Sequence, residues 1–191
     1  MKNNTFKIIS GSLKGRNFSF KDAHGLRPTS GKARETLFNW LQFEISGKTI
    51  LDPFSGTGAL GIEALSRGAS MVYFIEKNSE AFKTLESNLN LLNPNQYNLI
   101  NQDSIKYLEK SDLLPFDLIF LDPPFNKGLL PSILSVLSIK NLISTKSKIY
   151  IESEYEVDLK FLNSNIMKKC RMVKQKKSGN VHYCLISLEE L

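Results

Sequence analysis

The chain has 191 residues, of which 41% are apolar and 23% charged, a balance typical of a globular protein with one substantial core. No apolar run approaches the length of a membrane span, and the first residues lead into an alternating segment and not into the apolar core of a signal peptide. We therefore expect a cytoplasmic protein without a membrane partner, in which Cys170 and Cys184 are reduced thiols that lack the spacing of metal ligands.

Charge is unevenly distributed along the chain. Residues 1–50 contain nine Lys and Arg against three Asp and Glu, and residues 160–191 contain seven against two. The middle of the chain, residues 51–159, contains nine against fourteen. Two basic ends around an acidic middle indicate a polyanion-binding surface attached to a catalytic core, although a solvated surface without a partner is the alternative.

The first 45 residues predict a β-hairpin followed by a helix. Strand-like segments at 6–9 and 17–20 flank a turn, residues 11–16, that is rich in Gly and basic side chains. Apolar residues at helical spacing predict a helix over 31–45, with Thr29 or Ser30 as its cap. Arg34 lies off the apolar stripe of this helix, and we expect it to be exposed.

From residue 49 the pattern alternates between strands and helices. Short apolar runs predict five strands, at 49–51, 71–75, 97–100, 117–121 and 148–151. The segments between them carry helical patterns, and Ser104 is the expected cap of the helix after the third strand. This alternation predicts a parallel, doubly wound sheet with right-handed crossovers.

The end of the chain predicts an antiparallel hairpin that closes this sheet. Residues 170–177 and 181–188 alternate like strands around a turn at 178–180. With that turn, Lys177 faces Val181 and Cys184 faces Lys174. A disulfide between the two cysteines is not expected in this register.

Acidic residues follow four successive predicted strands, where an open α/β sheet binds its ligands. Asp52 precedes the glycine turn Ser55-Gly56-Thr57-Gly58, and its charge disfavours a pyrophosphate and favours a cationic ligand. Glu76 is placed to accept the two hydroxyls of a ribose, and Asp103 an adenine amine. A ligand with an ammonium group, a ribose and an adenine fits all three, and S-adenosylmethionine is such a ligand. The alternative is that these acids only cap helices.

The fourth strand ends in Asp122-Pro123-Pro124-Phe125. The prolines stiffen the turn and leave carbonyl oxygens without neighbouring donors. The Asp122 carboxylate and the Pro123 carbonyl can accept both hydrogens of an amino group, and Phe125 offers a face for a flat ring. The segment therefore predicts a seat for the exocyclic amine of a nucleobase, although a strand-ending turn with a solvated Asp122 is the alternative.

These four motifs, in this order, resemble those of the class I S-adenosylmethionine-dependent methyltransferases of amino groups. The resemblance narrows to the bacterial ribosomal RNA small subunit methyltransferase D family through four further segments: Lys7–Arg16, Leu26–Thr29, Ala33–Trp40 and Lys177–Tyr183. It spans essentially the whole chain, and the amino-terminal segments are far more specific than the glycine turn.

The resemblance implies a Rossmann-like α/β fold, with a mostly parallel seven-stranded sheet that ends in an antiparallel hairpin. It also implies a hairpin-and-helix extension for RNA over 1–45 and a methyltransferase domain over 46–191. The implied activity is methyl transfer from S-adenosylmethionine, which leaves as S-adenosylhomocysteine, to the N2 amine of one guanine in 16S ribosomal RNA. The substrate would be an assembled or assembling small subunit, and the enzyme a monomer without a metal.

The expected site residues fall into three groups. Those expected to act on the amine are Asp122, Pro123 and Phe125. Those expected to bind the cofactor are Asp52, Ser55, Gly56, Thr57, Gly58, Glu76, Asp103 and Ser104. Those expected to contact RNA are Lys14, Arg16, Arg27, Arg34, Lys174, Lys176 and Lys177.

Two other functions stay open at this point. Asp-Pro-Pro-Phe serves adenine and guanine amines alike, so an adenine-N6 methyltransferase acting on RNA or DNA is one alternative. A non-catalytic RNA-binding subunit with a relict methyltransferase fold is the other, and the intact set of acidic and glycine residues disfavours it. Neither His24 nor His182 receives a role from the sequence.

Overall fold

The structure, a computed structural model, describes residues 3–21 and 31–190. Its strands and helices follow in chain order: β1 Asn3–Lys7, β2 Asn17–Lys21, α1 Gly31–Trp40, β3 Thr49–Asp52, α2 Ala59–Ser66, β4 Met71–Ile75, α3 Ser79–Leu89, β5 Tyr97–Ile100, α4 Ser104–Lys110, β6 Leu118–Leu121, α5 Leu129–Ile139, β7 Lys148–Ser153, α6 Leu159–Asn165, β8 Lys169–Ser178 and β9 Val181–Glu189. Every predicted strand is present, and β4 and β5 have the predicted bounds.

Seven strands form one sheet in the order β5-β4-β3-β6-β7-β9-β8. Strands β3 to β7 are parallel, and β9 runs antiparallel between β7 and β8. This confirms the predicted mostly parallel sheet with a closing hairpin. The strand order reverses between β3 and β6, so the crevice where such folds bind ligands lies beyond the carboxyl ends of these two strands.

Apolar side chains pack on both faces of the sheet. One cluster holds α1, α2 and α3 against the first face and includes apolar residues of β1 and β2. The second cluster holds α4, α5 and α6 against the other face. Because β1 and β2 pair only with each other, the amino-terminal hairpin is an extra layer over α2 and α3, where Asn88 Nδ2 donates to Ser19 O.

The loop of the amino-terminal hairpin is fixed to α2 by a buried carboxylate. Glu63 is fully buried and accepts hydrogen bonds from the backbone amides of Ile9 and Ser10, at 2.8 and 3.0 Å. Arg67 Nε donates to it at 2.8 Å, and a guanidinium nitrogen of Arg34 lies 4.0 Å away. The interior therefore holds a charge network that ties the amino-terminal hairpin to α2.

Gly11 allows this loop to approach α2 closely. Its φ is +88°, and a Cβ at this position would lie 1.8 Å from the carbonyl oxygen of Ser66. The same oxygen accepts a hydrogen bond from the Ser12 amide at 2.7 Å. A side chain at residue 11 would both strain the backbone and separate the loop from the helix.

Several predicted details are wrong. Helix α1 ends at Trp40 and not near 45, and Arg34 is 6% exposed because it points to Glu63 and donates to Lys7 O. The cap of α4 is Asp103 and not Ser104, since the Asp103 side chain accepts from the Lys106 amide. The predicted caps Thr29 and Ser30 lie outside the described residues.

The register of the closing hairpin also differs by one residue from the prediction. Its loop has two residues, with Gly179 at φ +61°, so Ser178 faces Val181 and Cys184 faces Gln175. An irregularity after Met172 shifts the register again. Both cysteines are buried free thiols, as expected. In the two stretches that the structure describes, no helix is both long and apolar enough to cross a bilayer.

The buried network around Glu63 predicts a large stability effect. Glu63→Gln leaves Arg34 and Arg67 inside the protein without their counter-charge, and breaking a buried ion pair in this way costs about 3–5 kcal/mol. We expect the free energy of unfolding in urea to fall by at least roughly 2 kcal/mol, after allowance for the partial exposure of Arg67. Glu86→Gln, on the exposed side of α3, is the matched control; equal stability of the two variants would contradict the network's role.

Candidate active site

A cavity of about 1120 Å³ opens at the carboxyl ends of the parallel strands. Among the residues that line it are Ser55, Gly56, Thr57, Glu76, Asp103, Ser104, Asp122, Pro123, Phe125, Glu152 and Tyr183. The structure thus brings the glycine turn and the Asp122–Phe125 segment to one cavity. Asp52 and Gly58 are not among the lining residues and lie in the layer behind it.

Backbone hydrogen bonds and close packing shape the glycine turn. Ser55 Oγ donates to Asp52 O at 2.6 Å, and the Ser55 amide donates to Ile75 O at 3.1 Å. Gly58 has φ +77°, and a Cβ there would lie 2.3 Å from Leu85 Cδ1. A Cβ at Gly61 would lie 2.2 Å from the Phe74 ring. Gly58 lets the start of α2 pack against α3, and Gly61 lets α2 pack against β4 of the sheet.

Asp52 is a buried carboxylate with an unsatisfied oxygen. It is 3% exposed, and its Oδ2 has no hydrogen-bond partner among the described residues. Burial and the negative charges of Asp122 and Glu76 raise the pKa of Asp52 to about 8. A hydrogen bond from the Gly61 amide lowers it, but by less. A cation near the cavity would relieve this cost, so Asp52 fits the ammonium group of S-adenosylmethionine.

Glu76 holds the glycine turn through the backbone. One carboxylate oxygen accepts from the Gly56 amide at 2.7 Å, and the other accepts from the Asn78 amide at 2.6 Å. Each oxygen of a carboxylate can accept a second hydrogen bond. Glu76 is therefore fixed in place and still fits the predicted ribose hydroxyls.

Asp103 and Ser104 join α4 to the rest of the cavity wall. Asp103 caps α4 and forms an ion pair with Lys77 Nζ at 3.0 Å. The hydrogen bond from Lys77 is the main cause that lowers the pKa of Asp103. Ser104 Oγ donates to Pro53 O, beside the glycine turn. Asp103 stays ionised and acts as an acceptor at the cavity, while Ser104 holds two of its loops together.

Asp122 and Phe125 are partly buried, and Pro123 is buried. They follow β6, whereas Asp103 follows β5, three positions away in the strand order. Phe125 also packs against the first apolar cluster. The charge of Asp122 contributes to the raised pKa of Asp52. The acid after β6 and the acid before the glycine turn therefore lie near each other, as the motif order predicted.

Glu152 is a site residue that the sequence reasoning missed. It is 4% exposed, lines the cavity and accepts a hydrogen bond from the Tyr150 hydroxyl at 2.9 Å. Burial, together with Glu152, raises the pKa of Tyr150 well above its usual value, so the phenol stays a donor. The signal was present in the chain, because Glu152 directly follows the predicted fifth strand just as the other four acids follow theirs.

The predicted RNA contacts do not lie on one surface. Lys14, Arg16, Lys174, Lys176 and Lys177 are exposed. Lys176 faces Tyr183 across the hairpin and reaches Thr36 Oγ1 at 3.4 Å, so it is on the α1 side of the sheet. Lys177 faces His182 and, by the alternation of a strand, points to the other side.

Arg34 and Arg27 are the other two predicted RNA contacts. Arg34 is buried beside Glu63, which opposes a role in RNA contact, and burial lowers its pKa. Arg27 and His24 lie outside the described residues. Within the described part of the chain, no group of three His, Cys, Asp or Glu is arranged to hold a metal ion.

Known proteins resemble this chain in sequence and in fold. The family described as Conserved hypothetical protein 95 matches residues 6–187. The ribosomal RNA small subunit methyltransferase D of Buchnera aphidicola (subspecies Acyrthosiphon pisum) is 43% identical over 80% of each chain, and that of Escherichia coli K12 is 36% identical over 96% of this chain and 90% of its own. The chain belongs to this methyltransferase family. The resemblance predicted from the motifs is thereby confirmed.

A solved structure shows the same fold for the family. The candidate methyltransferase yhhF from Escherichia coli superposes with a TM-score of 0.86 at 31% identity, over 98% of this chain and all of the other. The Rossmann-like methyltransferase fold with its small amino-terminal hairpin is thus confirmed, and the cavity lies where the fold places its cofactor.

The buried carboxylate of Asp52 predicts a conflict between stability and binding. Its folded-state pKa, about 8, is above the unfolded value, so the charge reduces stability progressively as the pH rises from about 4 to 8. We expect Asp52→Asn to raise the melting temperature of the free protein at pH 8 and to weaken S-adenosylmethionine binding at least about tenfold. Calorimetry and titration measure the two effects.

Asp112→Asn, at an exposed position, is the control and should change neither quantity. If Asp52→Asn bound the cofactor as tightly as the unmodified protein, the carboxylate would have no role in holding its ammonium group.

Proposed function

We propose that this protein transfers a methyl group from S-adenosylmethionine to the N2 amine of a guanine in 16S ribosomal RNA. The observation that carries the proposal is that Asp122, Pro123 and Phe125 line the same cavity as Ser55, Gly56 and Thr57 of the glycine turn. The names of the relatives, which are ribosomal RNA small subunit methyltransferases, support the substrate. The substrate would be an assembled or assembling small subunit in the cytoplasm.

The chain provides a site for each part of the cofactor. Asp52 attracts the ammonium group from behind the cavity wall, Glu76 accepts from the ribose hydroxyls, and Asp103 accepts from the adenine amine. When bound, the cofactor supplies an electrophilic methyl group on a sulfonium and leaves as S-adenosylhomocysteine. The unpaired oxygen of Asp52 and the fixed carboxylate of Glu76 are the features of this chain that fit it.

The chain also orients the amine that receives the methyl group. A guanine amine is a poor nucleophile, because its lone pair is delocalised into the ring. The Asp122 carboxylate and the Pro123 carbonyl accept its two hydrogens, and Phe125 stacks on the base, so the lone pair points into the cavity. Such alignment can lower a barrier by several kcal/mol.

Asp122 has a second task as the new bond forms. Positive charge develops on the nitrogen, and a carboxylate beside it stabilises that charge. Asp122 then accepts the proton that the methylated amine loses. The base must leave its stack to reach the cavity, at a cost of a few kcal/mol that the RNA-binding surfaces offset.

Two basic surfaces hold the RNA in this proposal. Lys14 and Arg16 lie on the loop of the amino-terminal hairpin, and Lys174 and Lys176 lie on β8 beside α1. Residues 1–45 are thus the proposed RNA-binding extension, and residues 46–191 the proposed methyltransferase domain. The contacts are to phosphates, so they position the RNA and do not read its sequence. A monomer is sufficient for this arrangement.

The proposal predicts the effect of removing the carboxylate of Asp122. Asp122→Ala should lower kcat for methyl transfer to small subunits by at least about a thousandfold, because both the alignment and the charge stabilisation are lost. The affinity for S-adenosylmethionine should stay within about twofold, since Asp122 faces the amine and not the cofactor. Substantial turnover by this variant would show that another group orients the amine.

The two faces of β8 predict a difference between neighbouring lysines. Lys176→Ala should weaken binding to small-subunit RNA. It should also reduce the slope of log K against log salt concentration by the amount expected for about one phosphate contact. Lys177→Ala, on the opposite face, is the matched control and should change binding little. Filter binding at several salt concentrations measures both, and a larger effect of Lys177 would place the RNA on the other side of the sheet.

The function itself is tested by transfer of a labelled methyl group to small subunits that lack the modification. The labelled nucleoside is then identified by mass analysis, and its position is mapped in the RNA. N2-methylguanosine at one position would support the proposal. Label on adenine, or none in the RNA, would contradict it.

A further inference from the structure

We propose that Glu152 makes the site selective for guanine by accepting a hydrogen bond from N1–H of the target base. This inference rests on the proposed function and goes beyond it, because the Asp-Pro-Pro-Phe segment by itself holds the amine of adenine as well as that of guanine. Glu152 is therefore a specificity-determining residue, distinct from Asp122, which holds the amine.

The sheet places Glu152 beside Asp122. Leu121 of β6 faces Ile151 of β7 in the parallel register, so the next residues, Asp122 and Glu152, follow at the ends of neighbouring strands. Neighbouring strands are about 4.8 Å apart, and equivalent positions point to the same face. Both side chains line the cavity.

Tyr183 continues this row on the next strand. It faces Glu152 across β7 and β9, and it also lines the cavity. Asp122, Glu152 and Tyr183 thus form a transverse row over three strands, on the α1 side of the sheet. A planar base whose amine is held by Asp122 would present its neighbouring ring atom to Glu152.

The surroundings of Glu152 fix it as an acceptor. The Tyr150 hydroxyl donates to one of its oxygens at 2.9 Å. The Tyr150 ring stacks against Tyr183, at 6.5 Å between centroids, and meets the Trp40 ring edge-on at 6.4 Å. Because the donor is held by two aromatic neighbours, the carboxylate has a defined position, and a carboxylate can accept several hydrogen bonds at once.

A carboxylate, and not a neutral acceptor, occupies this part of the cavity wall. Glu152 is 4% exposed, and a phenol such as Tyr150 can be satisfied by a neutral acceptor. A carboxylate in the wall of a cavity, next to another carboxylate, disfavours a base whose ring atom facing it carries a lone pair. The carboxylate favours a base whose ring atom at that position carries a hydrogen that it can donate.

Guanine and adenine differ at this atom. In each base the ring nitrogen N1 is bonded to the carbon that carries the exocyclic amine. In guanine N1 carries a hydrogen and donates, whereas in adenine it carries a lone pair and accepts. A site built to accept a hydrogen bond rejects an analogue that lacks the donor, because its own polar group then stays unpaired.

The test compares Glu152→Gln with the unmodified protein on small subunits that carry guanine or adenine at the mapped position. The carboxamide accepts less strongly from guanine N1–H and can donate to adenine N1. We expect kcat/KM for guanine to fall about 10- to 100-fold, and the guanine-to-adenine ratio to fall at least about tenfold. Glu156→Gln, at an exposed position, is the matched control.

The outcomes separate this inference from the proposed function. An unchanged ratio in Glu152→Gln, with guanine still the base methylated, would overturn the inference and leave the function in place, with Glu152 serving only Tyr150. Failure of the unmodified protein to methylate guanine would overturn both. Cofactor affinity within about twofold of the unmodified protein shows that the variant is folded.

A second measurement needs no variant. Small subunits with 2,6-diaminopurine at the mapped position retain the 2-amine but carry a lone pair at N1. The unmodified protein should methylate them at least about tenfold more slowly than guanine subunits, because the carboxylate of Glu152 then meets no donor. Equal rates on the two bases would overturn the inference, even if the Glu152→Gln variant did not fold.

Discussion

The site depends on one electrostatic constraint, the close placement of five acidic side chains. They lie at or just after the carboxyl ends of the five parallel strands, at one edge of the sheet. Three of these acids are each held by a different kind of partner. Glu76 accepts from backbone amides, Asp103 pairs with Lys77, and Glu152 accepts from Tyr150. Asp52 keeps an unsatisfied oxygen and a raised pKa, so ionising it is unfavourable unless a cation lies nearby.

Helix α2 connects this edge to the amino-terminal extension. Its first residues follow the glycine turn, and its last turns carry Glu63 and Ser66, which hold the loop of the hairpin β1–β2. The close packing at Gly61 and Gly11 fixes both ends of the helix against their neighbours. The glycine turn and the proposed RNA-binding loop are therefore attached to the two ends of one helix, which sets the distance between them.

The sequence predicted what depends on local pattern, and it failed where long-range packing decides. Apolar runs and turn residues located all seven strands of the large sheet, and the acids at strand ends located the cavity. Arg34 was expected to be exposed because the stripe of α1 does not show that Glu63, from another helix, draws it inside. Glu152 follows the fifth predicted strand as the other acids follow theirs, but it was missed because the sequence does not show that β7 lies next to β6. The hairpin register was wrong because Gly179 forms a shorter turn than expected.

The most direct test of the central claim is the structure of the protein crystallised with S-adenosylhomocysteine. The account predicts the ribose hydroxyls on Glu76, and the sulfur directed at the Asp122 carboxylate across a gap that a methyl group and an amine would fill. A ligand whose sulfur points away from Asp122, or one bound outside the cavity, would contradict the account.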